Sequence, residues 1–398
     1  MTARPLDGVV VLDLSRILAG PYASQKLGDM GATVWKVERP GPGDDTRGWG
    51  PPFHQGISTY FMAVNRSKRS IAVDLKHPRG RDVIARLIER ADVVLENFRP
   101  GTLERLGFSW ERIRALNPRA IYCSISGYGA VGKHRDQASF DVIAQGESGA
   151  QALTGDPDGP PTKFGLSIAD VTAGQHAVEG ILLALLRRER TGQGDRVDVA
   201  LADGLLALLT YQAQMVLTGD VRPRRLGNAH PSIVPYQTFA TADGWINVGV
   251  GNDGQWARFC QVLERPDLAA DEGYRTNRDR VERREALVGT LQETLRARSS
   301  AEWLDRLSDA SIPAGPIREV PEALADARDD CRGMVTTVAH PSAGPLPMVG
   351  NAVKLESVGL DPAYDAPPAV GQHTAAILAE VGFSPEEVAD LRAAGAVG

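Results

Sequence analysis

Cysteine is scarce: the 398 residues hold only Cys123, Cys260 and Cys331, far apart in the chain. That excludes a disulfide framework and a cysteine-rich zinc site, and it fits buried thiols in a reducing compartment. Long apolar runs are missing too. No stretch reaches the ~18 apolar residues of a membrane span, and Met1 to Val11 carries an arginine but no apolar core of a secretory signal. The expectation is a cytoplasmic protein without a membrane partner. Nor is there an excess of positive charge: the formal net charge is -6, the pI is near 5.7 and no long basic run compensates locally, so nucleic acid is not an expected partner. No internal repeat of fixed period occurs, and no metal-ligand spacing, so no metal is expected.

What is present is the balance of a globular protein large enough for two domains, 42% hydrophobic and 24% charged. The first forty residues predict strand, helix, strand: Val9 to Leu12, Tyr22 to Asp29, then Thr33 to Val37. Strands follow at Ile71 to Val73, Val93 to Leu95 and Ala120 to Ser124, with a helix at Gly80 to Arg90. The alternation predicts an α/β fold with a mainly parallel sheet covered by helices. Val171 to Arg188 and Leu201 to Leu217 read as long apolar helices in a core or an interface. Val221 to His230, rich in Arg, Pro and Gly, reads as a linker into a second unit with a strand at Trp245 to Val250. Capping-box patterns open helices at Ser299 with Glu302 and at Ser384 with Glu387.

One motif misleads. Gly249-Val-Gly251-Asn-Asp-Gly254 matches G-x-G-x-x-G after a strand and before a helix, the setting of a nicotinamide site. The segment after it offers no second strand ending in an acidic ribose partner. The N-terminal βαβ start has such an acid, Glu38, but its first turn lacks paired glycines. Neither half completes a dinucleotide site, and hydride transfer is set aside.

Several segments, in order along nearly the whole chain, carry a resemblance. They are Leu12-Asp-Leu-Ser with Ala19-Gly20-Pro21, Lys36-Val-Glu38-Arg39-Pro40-Gly41, Asn65 to Ile71, Glu96-Asn97-Phe98-Arg99-Pro100-Gly101, Gly127-Tyr-Gly129 and Thr191 to Val199. Together they resemble the class III CoA-transferases, the formyl-CoA and carnitine CoA-transferase type. The resemblance implies a large Rossmann-like domain over residues 1–220, completed by about 330–398, and a smaller α+β domain over 225–325. It also implies an interlocked homodimer, which linkers near Val221 to His230 and Ile317 to Met348 would suit.

In that family the nucleophile is an aspartate before a helix, and Asp170 in Ser167-Ile-Ala-Asp170-Val occupies the place. Position alone equally describes a helix cap, since free N–H groups and the helix dipole favour an anion there. The resemblance selects the nucleophile: a carboxylate can attack an acyl-CoA thioester and hold CoA as an aspartyl thioester. No permanently bound cofactor is then needed, coenzyme A being part of the substrate. Carried over by position, the CoA contacts are Leu18, Ala19, Arg39, Val73, Leu75, Lys76, Asn97, Phe98, Arg99 and Arg105. The basic ones are chemically apt for phosphates. Gly249 and Gly251 belong to a glycine-rich loop whose exposed amides would stabilise an oxyanion. Asp141 is the acid expected near the nucleophile. Related α-methylacyl-CoA racemases place a histidine before that acid; here it is Phe140, which argues against the racemase alternative. Further segments, among them Gly43 to Arg47, Trp49 to Phe53 and His230 to Gln237, resemble the succinyl-CoA:glutarate subgroup. They imply a dicarboxylate acceptor, with Arg47 or His230 on its distal carboxylate.

Overall fold

The computed structural model describes residues 4–398; Met1 to Ala3, where the N-terminal reading begins, lie outside the described residues. In chain order the first elements are β1 (Val10–Asp13), α1 (Ala19–Asp29), β2 (Thr33–Glu38), a hairpin of β3 (Phe53–His54) and β4 (Ile57–Ser58), and α2 (Thr59–Ala63). They are followed by β5 (Arg69–Ala72), α3 (Pro78–Arg90), β6 (Val93–Glu96), α4 (Thr102–Arg105), α5 (Trp110–Leu116) and β7 (Ile121–Ser126). Then come α6 (Asp141–Glu147), α7 (Ala150–Leu153), α8 (Ile168–Thr191), β8 (Arg196–Ala200), α9 (Leu201–Leu208) and α10 (Thr210–Gly219).

Six strands form one parallel sheet in the order β5-β2-β1-β6-β7-β8. The central strands are nearly unbroken apolar runs because both faces are covered. One face buries Leu12, Val37, Ile71 and Val94 against Val83, Ile84, Leu87 and Ile88 of α3. The other buries Val11, Val34, Val93 and Ile125 against α1 and α8. Helix α3 is explained locally: Pro78 sits in its first turn, the His77 side chain accepts from the Arg79 N–H, and its apolar residues recur on one stripe. The chain builds outward from β1 through β2 to β5, then on the other side through β6 and β7 to β8. The order therefore reverses between β1 and β6, the place where open α/β sheets leave a crevice beyond the strand ends. The free edge of β5 is closed by the far end of the chain: Ser70 and Ala72 carbonyls accept from the His373 and Gly398 amides, and Val73 bridges Val397.

The chain folds into two compact units. The first takes residues up to Gln151, Lys163–Val221 and Asp326–Gly398; the second takes Ala152–Thr162 and Arg222–Ala325. The second unit has an antiparallel sheet of β9 (Tyr236–Ala240), β10 (Trp245–Gly249) and β11 (Ala314–Pro316). Helices pack on it around Phe239, Ile246, Phe259 and Leu291. Residues 317–348, read from sequence as linker, instead contain a helix, Val320–Asp329, and the hairpin of β12 (Val335–His340) and β13 (Gly344–Val349). Leu346 and Met348 point inward to Met62, while Pro345 and Pro347 face out; in a two-stranded sheet each strand is an edge, where the missing N–H of proline is tolerated. The long helix read over Leu201 to Leu217 is two, broken at Thr210, whose φ is 40°. Ser384 forms the full capping box with Glu387, but at Ser299 only half of it forms, because the Glu302 carboxylate bonds Arg298 instead. Among the described residues no helix is long and apolar enough to cross a membrane.

Candidate active site

The helix that carries Asp170 is set in place by close packing. On α8, Ala169, Ala173 and Ala177 recur every four residues and are buried, so the helix can lie against α1 with its small Ala19 and Ala23. At Gly174 contact is tightest: a Cβ there would stand 2.7 Å from the Ala19 carbonyl oxygen. At its far end α8 is pinned by the Arg188–Asp92 ion pair, 2.7 Å, and stops at Gly192 in the left-handed region. This sets the first turn of α8 beside the first turn of α1.

Asp170 is the third residue of α8, in its first turn. It is not the cap. Ser167 precedes the helix without a side-chain cap bond, and the Ala169 N–H donates to Asp141 Oδ1, 2.8 Å away, from α6. Asp141 Oδ2 accepts from Gln145 Nε2 at 2.7 Å. Among the described residues no donor pairs with the Asp170 carboxylate. Burial, and then the charge of Asp141, push it up to about 7. The bare-cap alternative therefore fails on geometry: another carboxylate does the capping.

Asp170 lines a cavity of about 220 Å³ with Arg16, Ile17, Ala19, Asn97, Phe98 and Arg99, at the point where the strand order reverses. A second cavity of about 270 Å³ shares Arg16 and Phe98 and adds Arg39, Val73, Leu75 and Lys76. Arg16, Arg39, Lys76 and Arg99 are all exposed, a basic rim on partly apolar pockets. Asp45 bridges two of them, 3.1 Å from Arg16 and 2.5 Å from Arg39. Leu18 precedes α1 and lines neither cavity, and Arg105 bonds Thr102 of its own helix, 3.0 Å, also outside both. Asn97 clamps the backbone of Arg16, accepting from its N–H at 2.9 Å and donating to its carbonyl at 2.7 Å. The next residue, Ile17, is held at φ 70°, an uncommon state for a β-branched residue, and its N–H points to Asp44.

Three expectations need correction. Arg47 is no free cation: its guanidinium takes both oxygens of buried Glu38 at 2.7 Å, donates to the Pro368 carbonyl, and lies 3.7 Å over the Phe61 ring. His230 shapes a turn, its Nδ1 accepting from the Ser232 N–H, while burial and Arg284 lower its pKa and keep it neutral near pH 7. The amides of Gly249 and Gly251, expected exposed, are used within the second unit, by the Pro313 carbonyl and by Gln255 Oε1 respectively. Asn252 then caps the following helix, so this is a strand-to-helix turn.

Sequence reasoning missed Tyr60. It sits on α2, edge-on to Trp49 with ring centroids 5.2 Å apart. Burial, then the charges of Asp170, Asp141 and Asp44, push its hydroxyl up to about 12. Its five-residue helix, TYFMA, offers no periodicity that could have singled it out. Gln145 was missed as well.

A parallel sheet with a crevice at its reversal point, an unpaired carboxylate there and a basic rim make a site with the chemistry to receive an anionic ligand. The family model for CoA-transferase family III matches residues 6–374, and the chain belongs to that family, whose members use CoA thioesters as substrates. It is a CoA-transferase. Among its relatives, succinyl-CoA:glutarate CoA-transferase of Mus musculus is 44% identical over 95% of this chain and 86% of its own length. Succinate--glutarate CoA-transferase of Agrobacterium fabrum is 41% identical over 95% of this chain and 96% of its own. A CAIB/BAIF family protein from Brucella suis has the same fold, with TM-score 0.83 and 41% identity over 95% of this chain and all of that one.

Proposed function

We propose that the protein moves CoA from succinyl-CoA to a dicarboxylate of the glutarate type, with Asp170 as the covalent nucleophile. The observation that carries the reading is the Asp170 carboxylate, unpaired, raised to about 7, and open to a cavity at the sheet's reversal point. The names of the mouse and Agrobacterium relatives supply the substrate pair.

The chemistry follows from a carboxylate in that position. An Asp170 oxygen attacks the thioester carbonyl; the C–S bond breaks and CoA leaves as thiolate, giving a mixed anhydride. The thiolate then attacks the aspartyl carbonyl carbon, expelling succinate and leaving an aspartyl-CoA thioester. The acceptor carboxylate repeats the two steps in reverse, and Asp170 is restored with no net proton or electron transferred. A raised pKa makes the ionised oxygen more basic and hence more nucleophilic, at the cost of requiring pH near or above 7. The CoA nucleotide lies along Arg39, Val73, Leu75, Lys76 and Phe98, with Asn97 and Arg99 on the way to Asp170. The exposed arginines and lysine supply phosphate partners.

A homodimer belongs to the same reading. Its support is an apolar face on α8, α9 and α10, where Leu183, Leu186, Leu206, Val216 and Leu217 are each at least half exposed. Cytoplasmic residence accords with Cys123, Cys260 and Cys331 being unpaired.

Incubation with succinyl-CoA alone, followed by digestion and mass spectrometry, tests the central claim. The peptide holding Asp170 gains the mass of CoA less water, and initial rates with glutarate give the parallel double-reciprocal lines of a ping-pong reaction. Intersecting lines with no adduct on that peptide overturn it.

A further inference from the structure

Gln145 is buried to 1% exposure on α6, one turn after Asp141, and all the hydrogen-bonding capacity of its amide is turned toward the nucleophile's approach. Its Oε1 accepts from the Phe164 N–H at 2.7 Å. Because that partner can only donate, the orientation of the amide is fixed. Its Nε2 donates to Asp141 Oδ2 at 2.7 Å and to the Leu166 carbonyl at 3.4 Å. Phe164 and Leu166 belong to the segment that enters α8, and both are otherwise exposed. One buried side chain thus fastens both that segment and the carboxylate that caps α8.

We propose that Gln145 is the positioning residue of the active site, holding the Asp141 side chain against the first turn of α8 and so beside Asp170. This rests on the reading of Asp170 as nucleophile and adds to it. Both oxygens of Asp141 are acceptors in the structure, Oδ1 from Ala169 and Oδ2 from Gln145. The titratable groups set against Asp170 are Asp141 on α6 and, from α2, Tyr60, which is neutral across the working range because it is pushed up to about 12. Where Gln145 holds Asp141 therefore sets how strongly that neighbour acts on Asp170.

The test compares wild type with Gln145→Met, similar in length and unable to donate, and with Asp141→Asn, whose side-chain oxygen can still cap Ala169. Transfer rates are measured from pH 5 to 9, and the CoA adduct on Asp170 is read at each pH. In wild type the acid limb falls near pH 7, following Asp170. In Gln145→Met the Asp141 side chain is no longer held beside Asp170, and the limb moves roughly 0.5–1 toward acid on the pH axis; with Asp141→Asn it moves further. Plateau rates also fall, by roughly threefold to tenfold for Gln145→Met, because the nucleophile is less basic. A merely structural role would lower the plateau and leave the limb where it was. If wild type forms the Asp170 adduct and the limb stays fixed in both variants, the inference is overturned while the proposed function stands. If wild type forms no adduct, the proposed function fails and the inference falls with it. Should Gln145→Met fail to fold, Gln145→Leu, likewise unable to donate, takes its place.

Discussion

At the scale of single residues, Asp170 stores an unfavourable ionisation that the fold imposes. A carboxyl raised from 3.8 to about 7 binds its proton more tightly in the folded chain than in the unfolded one. Between those values the folded state therefore holds more protons, and its stability falls as pH rises. Above pH 7 the loss is complete and constant. Replacing Asp170 by Asn removes it, so the variant is expected to be inactive yet more stable than wild type at pH 8, on the order of 1–2 kcal/mol after allowing for solvent access to the site. The advantage should shrink steadily between pH 7 and 4. Thermal unfolding at a series of pH values measures it; a variant no more stable than wild type at pH 8 contradicts the burial and charge attributed to the site. The position of Asp170 ahead of an apolar helix is legible in the sequence, but its partner in capping is not. The bond from Ala169 to Asp141 spans 28 residues, and nothing in either local pattern announces it. Arg47 shows the converse: an arginine in a suggestive motif is consumed by Glu38, which the linear sequence cannot foretell.

At the scale of elements, β-branched and apolar runs make the parallel strands readable, and β1, β2, β6 and β7 fall within about two residues of their sequence positions. The strand β8 was not read, because Arg196–Ala200 alternates charge with valine at the sheet edge. The hairpin β12–β13 was hidden by its prolines, although its period of two was present in Leu346 and Met348. The contact of α1 with α8 depends on Gly174, where an added methyl meets backbone, the Ala19 carbonyl, rather than a yielding side chain. Gly174→Ala is thus expected to cost about 1–3 kcal/mol and to reduce turnover as Ala19 and Asp170 are forced apart. Urea unfolding should show a lower midpoint at unchanged slope. An unchanged midpoint would mean that the helices part without cost.

At the scale of the whole molecule, the apolar face of α8 to α10 leaves hydrocarbon exposed on the isolated chain. Paired Leu183→Asp and Leu186→Asp changes put charge where the proposed dimer buries hydrocarbon. Light scattering should give twice the chain mass for wild type and a mass at or near the single chain for the double variant. A wild-type monomer at micromolar concentration refutes the dimer.

The edge of β5 also has a history in time. Its hydrogen bonds to His373 and Gly398 join strand residues made early to residues made about 300 positions later. During synthesis roughly 300 residues must still emerge after Ala72, an interval of about 15–65 s at the usual pace of a ribosome. For that interval Ser70 and Ala72 offer open backbone acceptors on a finished strand, a template for any other extended chain nearby. Charge at the strand's start, on Arg69, and the bend of the chain after Val73 limit how long a stranger can pair there. The nascent protein thus passes through a sticky stage that the folded one no longer shows, and the pairing of β5 with His373 and Gly398 ends it.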